Sequence, residues 1–489
     1  MPEKYHISVT PTPSRFTPVG KVSAIERDGC FGCAKCAKKS CVYDVYKNRS
    51  FDSRQLADTI DYLCKNCFRC VQECKGRLFS RAVNPEYKRL GDSYWKPDII
   101  ATTWYQAETG KIPVSGAGYL GPFTGHGFDS MWTDMSEIVR PTRDGIHGRE
   151  YISTSIDLGR KLIRLEFDKN GCLVSNPPKV ASIPMPIIFN TLPFGNISKN
   201  LRLSMAKAAN KLGIPMIIEA EEYFDELVPY NKIMMPQFTI KTFETHKELL
   251  KQVRLAEFIY EENIMKYVAQ AKEINPELIV SVRVRLDKNA GNITQNLIQD
   301  GAEIIHLYAD YQGNEHDTKQ PRFIKDMILD IHRQLVAKTI RDEVSIIVSG
   351  GIGLAEHLAK VILCGADGAA VDLTLLIALE CRVCKRCMDN TPPTPSQEDN
   401  TPPAPSQEGI TATIPSQEGI YKGKCPVDME KIKTGWASKR IINLMGAWHS
   451  QLIEVMGAMG IREARRLRGE TGRAMFLEDL ERDFVNAIQ

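Results

Sequence analysis

The chain has 489 residues, of which 43% are hydrophobic and 25% are charged, and its formal net charge is +3 at pH 7. This composition is typical of a globular protein, and so small a net charge argues against a dedicated nucleic-acid surface. The length allows two or three domains, and no run of about eighteen apolar residues is present that would span a membrane.

Residues 1–22 carry scattered Pro and Thr and are predicted to form an extended lead-in. The chain begins MPEKYHISV, which lacks the basic, apolar and small-residue segments of a secretory signal. We therefore expect a cytoplasmic protein, in which disulfides rarely persist.

Residues 23–90 contain two cysteine runs, CFGCAKCAKKSC and CKNCFRCVQEC, that are typical of iron–sulfur proteins. Their cysteines are Cys30, Cys33, Cys36 and Cys41, then Cys64, Cys67, Cys70 and Cys74. Cysteines separated by two residues converge around an iron–sulfur cube as the backbone curls, so we predict a ferredoxin-like domain with two [4Fe-4S] clusters. Disulfides and zinc are the alternatives, although zinc ribbons usually use paired cysteines.

The fourth cysteine of each run is predicted to bind the other run's cluster, as in two-cluster ferredoxins. This assigns Cys74 to the first cluster and Cys41 to the second, although Val42 and Lys75 replace the proline expected after each. The many lysines and arginines of the region indicate either a solvated surface or a docking face for an acidic electron carrier such as ferredoxin.

Residues 91–182 are predicted to be a less regular connector with a glycine-rich stretch at 115–127. Glycine permits left-handed backbone and close approach to a flat ligand. Tight turns between packed domains are the alternative, and we favour it.

Residues 183–387 alternate short apolar runs with amphipathic helical patterns. The apolar runs span residues 186–192, 215–220, 232–238, 278–285, 302–309, 345–351 and 368–373. Fully buried strands alternating with helices predict an α/β fold with a parallel sheet, and seven or eight such units favour a (β/α)8 TIM-type barrel. A doubly wound open sheet is the alternative.

The run SIIVSGG would be the seventh barrel strand, and it leads into Gly350, Gly351 and Gly353 and then into a helix. Barrel sites lie at the carboxyl ends of the strands, and phosphate often sits after strands seven and eight. Because glycine amides and a helix N-terminus attract phosphate, the sequence predicts a phosphate-bearing cofactor here.

A third cysteine group follows the predicted helix 373–380 and consists of Cys381, Cys384, Cys387 and the distant Cys425. It predicts a third cluster at the rim of the barrel. Residues 388–424 form a low-complexity insert with three ten-residue repeats at 391–420, which we expect to be disordered because its Pro, Ser, Gln and Glu residues cannot form a core. Residues 425–489 are predicted to be a helical region that completes the third cluster.

These segments together resemble the FMN-binding domain of glutamate synthase, in the form with an N-terminal two-cluster ferredoxin-like module. The matching segments are PFGNIS (193–198), NPELIVSVRVR (275–285), IVSGGIG (347–353), GADGAAVDLTLLIALEC (365–381) and KCPVD (424–428). The resemblance implies bound FMN, with contacts from Ser198, Arg283, Gly350, Gly351 and Gly353. Arg283 stands where the family has a flavin-contacting lysine, and Cys384 is an additional ligand that would permit a [4Fe-4S] instead of a [3Fe-4S] third cluster.

The resemblance further implies an oxidoreductase that passes electrons through the clusters to FMN and reductively aminates 2-oxoglutarate to glutamate. The chain departs from the family at MIIEAEE (216–222), where a substrate loop is expected, and at Asp372, where a second phosphate loop is expected. A reductase of another small molecule, or a non-catalytic electron-transfer subunit of a larger redox complex, are therefore alternatives. Catalytic residues stay unassigned, and no NAD(P)H fingerprint is evident, so electrons would come from ferredoxin or a redox subunit.

Overall fold

The computed structural model describes residues 5–16, 19, 22–26, 33, 35, 39–41, 68–76, 79–112, 127–133, 152–162, 164–175, 178–194, 197–385, 387 and 429–488. The predicted ligands Cys30, Cys36, Cys64, Cys67 and Cys425 lie outside these residues, as do the repeats at 391–420. The predicted ferredoxin-like domain falls largely outside them as well and stays a prediction.

The described residues before the barrel form short strands and three α-helices. The elements are β1 (Val22–Glu26), α1 (Arg69–Gln72), β2 (Phe79–Val83), α2 (Pro85–Lys88), α3 (Pro97–Thr109), β3 (Met131–Thr133), β4 (Ile156–Gly159) and β5 (Val180–Ile183). β1 pairs antiparallel with β2, and β4 with β5. The helix α3 has a proline in its first turn and ends at Gly110, whose φ of 67° suits a helix terminus.

Eight parallel strands form a closed barrel, in which each strand pairs with its neighbours in sequence. The strands and helices in order are β6 (Ile187–Phe189), α4 (Lys199–Leu212), β7 (Met216–Glu219), β8 (Met234–Phe238), α5 (Ile240–His246), β9 (Leu255–Ile259), α6 (Ile264–Ile274), β10 (Ile279–Arg285), α7 (Ala290–Gln299), β11 (Ile304–Tyr308), α8 (Ile324–Ala337), β12 (Ser345–Ser349), α9 (Ala355–Leu363), β13 (Gly368–Val371) and α10 (Leu373–Ala378). The barrel prediction is confirmed, and the open sheet is excluded.

Two details differ from the sequence prediction. The fourth strand, β9, was not among the predicted runs, because Glu257 interrupts its apolar residues. No α-helix connects β7 to β8, where 3₁₀ turns at Ala220–Glu222 and Asp225–Tyr230 take its place. Further 3₁₀ turns lie at Gly127–Ser130, Lys247–Gln252, Arg341–Glu343, Met429–Lys431 and Thr471–Arg473.

The C-terminal region packs one long helix against the barrel. Its elements are α11 (Thr434–Ala458), α12 (Ala464–Leu467), β14 (Ala474–Phe476) and α13 (Leu477–Ile488), and β14 pairs with β3. α11 contacts α3, α4 and α9. None of the helices in the described ranges combines the length and the apolar character needed to cross a bilayer.

The N-terminal segment 5–16 is held along α11 by buried polar side chains. Arg440, which is fully buried, donates to the carbonyl oxygens of Thr12 at 3.0 Å and of Ala378 at 2.7 Å. Asn443 donates to the carbonyl oxygen of Thr10 at 2.8 Å. Residues 5–16 are therefore part of the packed structure, and the extended form of the whole lead-in stays a prediction.

Candidate functional site

The loop after the seventh strand has a backbone that requires glycine. Gly350 and Gly351 have φ values of 106° and 69°. A Cβ on Gly350 would lie 2.4 Å from the carbonyl oxygen of Asp310, and one on Gly351 would lie 2.8 Å from that of Gln312. The loop leads to α9, whose N-cap residue, Leu354, provides no side-chain hydrogen bond to the first turn. This geometry fits a phosphate-binding loop at the start of a helix.

Gly350→Ala is expected to lower the free energy of unfolding by about 3 kcal/mol or more, because a strained backbone and a steric clash add together. Gly301→Ala is the matched control, since Gly301 also has positive φ (96°) but no atom within 4 Å of its added Cβ. It should cost only about 1–2 kcal/mol. Urea unfolding of both variants checks this, and equal losses would contradict it.

Two other predicted cofactor contacts have structural partners in this protein. The Gly353 N–H donates to His357 Nδ1 at 3.1 Å, and a Cβ there would lie 2.8 Å from Trp95. Ser198 is the N-cap of α4, where its hydroxyl accepts from the Leu201 N–H at 3.2 Å and donates to the carbonyl of Met429 at 3.3 Å. Their roles toward a cofactor stay predictions.

Arg283 lies on the fifth strand near the carboxyl end of the barrel, with its side chain 14% exposed. Its Nη1 donates to Asn190 Oδ1 at 3.2 Å and Thr191 Oγ1 at 3.4 Å, both in the segment that follows the first strand. The guanidinium also stacks over the Tyr308 ring, with its central carbon 4.6 Å from the ring centre. These contacts hold a positive charge in one orientation at the barrel mouth.

A hydrogen-bonded chain inside the barrel extends from Arg283. Glu257 is fully buried on the fourth strand, and its Oε2 lies 3.6 Å from Arg283 Nη1. It accepts from Gln237 Nε2 at 2.6 Å and contacts His306 Nδ1 at 2.7 Å. His306 Nε2 then meets Ser349 Oγ at 2.9 Å. Because β9 and β11 are separated by β10, the contact between Glu257 and His306 places both side chains in the barrel interior.

The protonation states in this chain follow from burial and charge. Burial alone would raise the pKa of Glu257, but His306, Arg283 and Gln237 outweigh it and lower the pKa. Burial also lowers the pKa of His306, against the attraction of Glu257. We infer that Glu257 is ionised with Arg283 as its counter-charge, and that neutral His306 donates to Glu257 and accepts from Ser349.

Asp372 lies at the carboxyl end of the eighth strand, where a second phosphate loop was expected. Its carboxylate accepts from the Leu373 N–H at 2.5 Å and from Asn190 Nδ2 at 3.4 Å. Burial raises its pKa from 3.8 to about 6. A carboxylate of the chain itself therefore takes the hydrogen bond that a bound anion would receive there.

The segment that replaces the expected substrate loop forms the end of β7 and the turn after it. Glu222 in this turn pairs with Arg202 of α4 at 3.0 Å. A small cleft beside it is lined by Asn190, Thr191, Arg202, Glu219 and Glu222, among others. The charged side chains in the lining of this cleft are Arg202, Glu219 and Glu222.

The third cysteine group follows α10 directly and has the backbone of a ligand loop. Glu380, Val383 and Lys385 all adopt positive φ, at 76°, 55° and 56°. The Val383 N–H points to Cys381 Sγ at 3.4 Å. Left-handed residues turn the loop back on itself, and amide hydrogen bonds to sulfur are among the features that tune iron–sulfur clusters. The loop is compatible with Cys381, Cys384 and Cys387 as cluster ligands, and their binding of a cluster stays a prediction.

The described ends of the two N-terminal cysteine runs lie next to each other. Ser40, which precedes Cys41, donates to Glu73 Oε2 at 2.9 Å, and Glu73 precedes Cys74. The exchange of fourth ligands between the two clusters stays a prediction. The described cysteines form no disulfide and are Cys33, Cys41, Cys70, Cys74, Cys172, Cys364, Cys381, Cys384 and Cys387.

Sequence reasoning missed Glu257, His306 and Ser349. Each occurs within an apolar strand, and nothing in the local pattern signals that the three meet. Only the register of the closed barrel, which sets Glu257 opposite Gln237 and Ser281, could have indicated the contact.

Comparisons with known proteins give matches to a family region and to several relatives. The family model described as the conserved region in glutamate synthase matches residues 226–395. The archaeal-type glutamate synthase [NADPH] of Dehalococcoides mccartyi is 23% identical over 515 residues, which cover 94% of each chain. The archaeal glutamate synthase [NADPH] of Archaeoglobus fulgidus is 25% identical over 524 residues, which cover 94% of this chain and 95% of the relative.

Two solved structures also align with the chain. A mandelate oxidase variant with an FMN adduct aligns over 68% of this chain and 98% of its own, with a TM-score of 0.39 and 11% identity. A flavocytochrome b2 variant aligns over 70% of this chain and 80% of its own, with a TM-score of 0.41 and 11% identity. The sequence matches to the family region and to the two relatives confirm what the motifs predicted, namely that this chain resembles the glutamate synthase family, in the part that forms the FMN-binding domain.

Proposed function

We propose that this protein is a glutamate synthase-like oxidoreductase that passes electrons through [4Fe-4S] clusters to FMN in the barrel and reductively aminates 2-oxoglutarate to glutamate. The observation that carries the proposal is the arrangement at the carboxyl end of the barrel. The glycine loop follows the seventh strand, Arg283 lies near the end of the fifth and the third cysteine group comes after the eighth, in a chain that aligns with an archaeal-type glutamate synthase over 94% of its length.

FMN fits this end of the barrel at the glycine loop and at Arg283, whereas Asp372 does not fit it. The phosphate would lie against the loop of Gly350 and Gly351, and the flavin would lie near Arg283. Asp372 would repel the phosphate where a second phosphate loop was expected, which should weaken FMN binding. When bound, FMN supplies the electron transfer to substrate.

The protein's own contribution at the mouth is a fixed positive charge. Four neighbours orient Arg283 before any ligand arrives, so no reorganisation is needed when negative charge develops nearby. Glu257 balances that charge from inside the barrel and keeps the guanidinium in place. Ser198 would complete the cofactor site on the first loop.

The clusters would connect an external donor to the barrel. The N-terminal runs would hold two [4Fe-4S] clusters, and the third group, with Cys425, would hold a [4Fe-4S] or [3Fe-4S] cluster beside the mouth. Ferredoxin or a redox subunit is the proposed donor. The relatives are named for NADPH, so a partner subunit would have to supply pyridine-nucleotide electrons to this chain.

Anaerobic purification followed by metal and flavin analysis tests the proposal. We expect about twelve iron atoms per chain, for three cubanes, and one FMN. About eight iron atoms would mean that the third group is empty. Iron without FMN would favour the non-catalytic electron-transfer subunit.

Glutamate formation from 2-oxoglutarate, ammonia and reduced ferredoxin or viologen tests the reaction. FMN without glutamate formation would favour a reductase of another substrate. Cys384→Ser should remove about one iron by leaving a three-iron cluster. Cys172→Ser, at an exposed cysteine outside the three groups, is the matched control and should leave the iron content unchanged.

A further inference from the structure

A lysine inside the third cysteine group is bound to a tyrosine and an aspartate. Lys385 follows Cys384 directly, and its Nζ donates to Tyr311 Oη. The same ammonium lies 3.6 Å from Asp92 Oδ2 and 4.6 Å from the centre of the Tyr311 ring. The Tyr311 hydroxyl in turn donates to Asp92 Oδ2 at 3.1 Å. The three side chains form a closed triangle of hydrogen bonds and charge.

The aspartate in this triangle is held rigidly. Asp92 Oδ1 accepts from the backbone N–H groups of Tyr94 and Trp95, both at 2.9 Å. Its other oxygen, Oδ2, is thereby directed to Tyr311 and Lys385. The Asp92 side chain is 16% exposed, so its charge is only partly screened by solvent.

The tyrosine connects the cysteine loop with the glycine loop of the barrel. The Tyr311 carbonyl oxygen accepts from Trp95 Nε1 at 2.9 Å and from the Gly351 N–H at 3.3 Å. The Phe194 ring, from the segment after the first strand, packs edge-on against the Tyr311 ring, with 5.9 Å between the ring centres. The triangle therefore stands at the junction between the third cysteine group and the mouth of the barrel.

We propose that Lys385 and Asp92 set the reduction potential of the third cluster with opposite signs, and that Tyr311 fixes the two charges relative to the cluster. The proposal rests on the proposed function, because it requires that cluster. A cluster becomes more negative when it takes up one electron from a reductant. A nearby positive charge stabilises the reduced form and raises the potential, whereas a negative charge lowers it. All three are positioning residues, and none is a cluster ligand.

The test is a redox titration of the intact, anaerobically purified protein with dithionite, followed by the paramagnetic resonance signal of the third cluster. Lys385→Gln should shift its potential to more negative values, because Asp92 is left unbalanced. Asp92→Asn should shift it to more positive values and keeps the oxygen that binds Tyr94 and Trp95. The double variant should return close to the wild-type potential.

Two further variants separate charge from structure. Tyr311→Phe keeps both charges, so its shift should be smaller than that of either charge variant. Lys266→Gln removes a lysine after β9, four strands from β13 in the closed barrel, and should leave the potential unchanged. Shifts of Lys385→Gln and Asp92→Asn in the same direction, or no shift in either, would overturn the inference. A wild-type protein with about eight iron atoms and no third signal would instead overturn the three-cluster function, and this inference with it.

Discussion

Replacing Arg283 with methionine is expected to lower the free energy of unfolding by about 3–5 kcal/mol and to abolish glutamate formation. The stability loss comes from Glu257, which is fully buried and would lose the counter-charge that lies 3.6 Å away. The loss of activity comes from removing the one guanidinium that Asn190 and Thr191 fix at the barrel mouth.

The double variant Arg283→Met/Glu257→Gln separates the two effects. Removing both charges should restore most of the stability, because no unpaired buried charge remains. Activity should stay absent, since the double variant still lacks the cation. Urea unfolding and the glutamate assay measure the two quantities independently. If Arg283→Met alone keeps wild-type stability, Glu257 must be balanced by a protonated His306 and the assignment of a neutral imidazole is wrong.

Replacing Asp372 with asparagine is expected to strengthen FMN binding by about tenfold or more, a factor that corresponds to about 1.4 kcal/mol. Asparagine keeps an oxygen for the Leu373 N–H and removes the carboxylate that opposes a phosphate. Fluorescence quenching on titration of the apoprotein with FMN measures the dissociation constant. Glu273→Gln is the control, since Glu273 lies on α6, which follows β9, four strands from β13 in the closed barrel. An equal gain in both variants would show a general charge effect.

The same substitution should change how stability depends on pH. Burial raises the pKa of Asp372 to about 6 from 3.8, so the folded state holds this proton more tightly than the unfolded state. Asp372 therefore stabilises the fold below about pH 4, and that contribution, up to about 3 kcal/mol, is lost as pH rises to about 6. The difference between wild type and Asp372→Asn in urea unfolding, measured from pH 4 to pH 7, isolates this contribution. A constant difference would contradict the raised pKa.

Most of the barrel could be predicted from the sequence, because its strands are buried on both faces and appear as short apolar runs. β12, with sequence SIIVS, and β10, with IVSVRVR, are of this kind. β9 was missed because LAEFI contains a buried glutamate, whose cost is offset only by side chains from other strands. Local signals mark the limits of α4, since Ser198 caps its start and Gly213, with φ of 69°, follows its end.

The candidate site was only partly predictable, for a related reason. The loop of Gly350 and Gly351 could be predicted from the local sequence, since a turn of that shape needs glycine in any context. The cysteine spacing is local too. The chain from Arg283 through Glu257 and His306 to Ser349 joins four strands, and the triangle around Lys385 joins segments almost 300 residues apart. Contacts of this kind depend on the tertiary register, which one sequence does not reveal.

The docking of the first residues on α11 has a consequence for the order in which the protein folds. Thr10 and Thr12 are bound by Asn443 and Arg440, which follow them by 433 and 428 residues. A ribosome adding about 5–20 residues per second needs roughly 20–90 s to cover that distance. During this time the N-terminal segment lacks its final partners, while Arg440 can bury its charge only when that segment arrives. Docking of Thr10 and Thr12 is therefore expected late in folding, since it requires α11 to be in place.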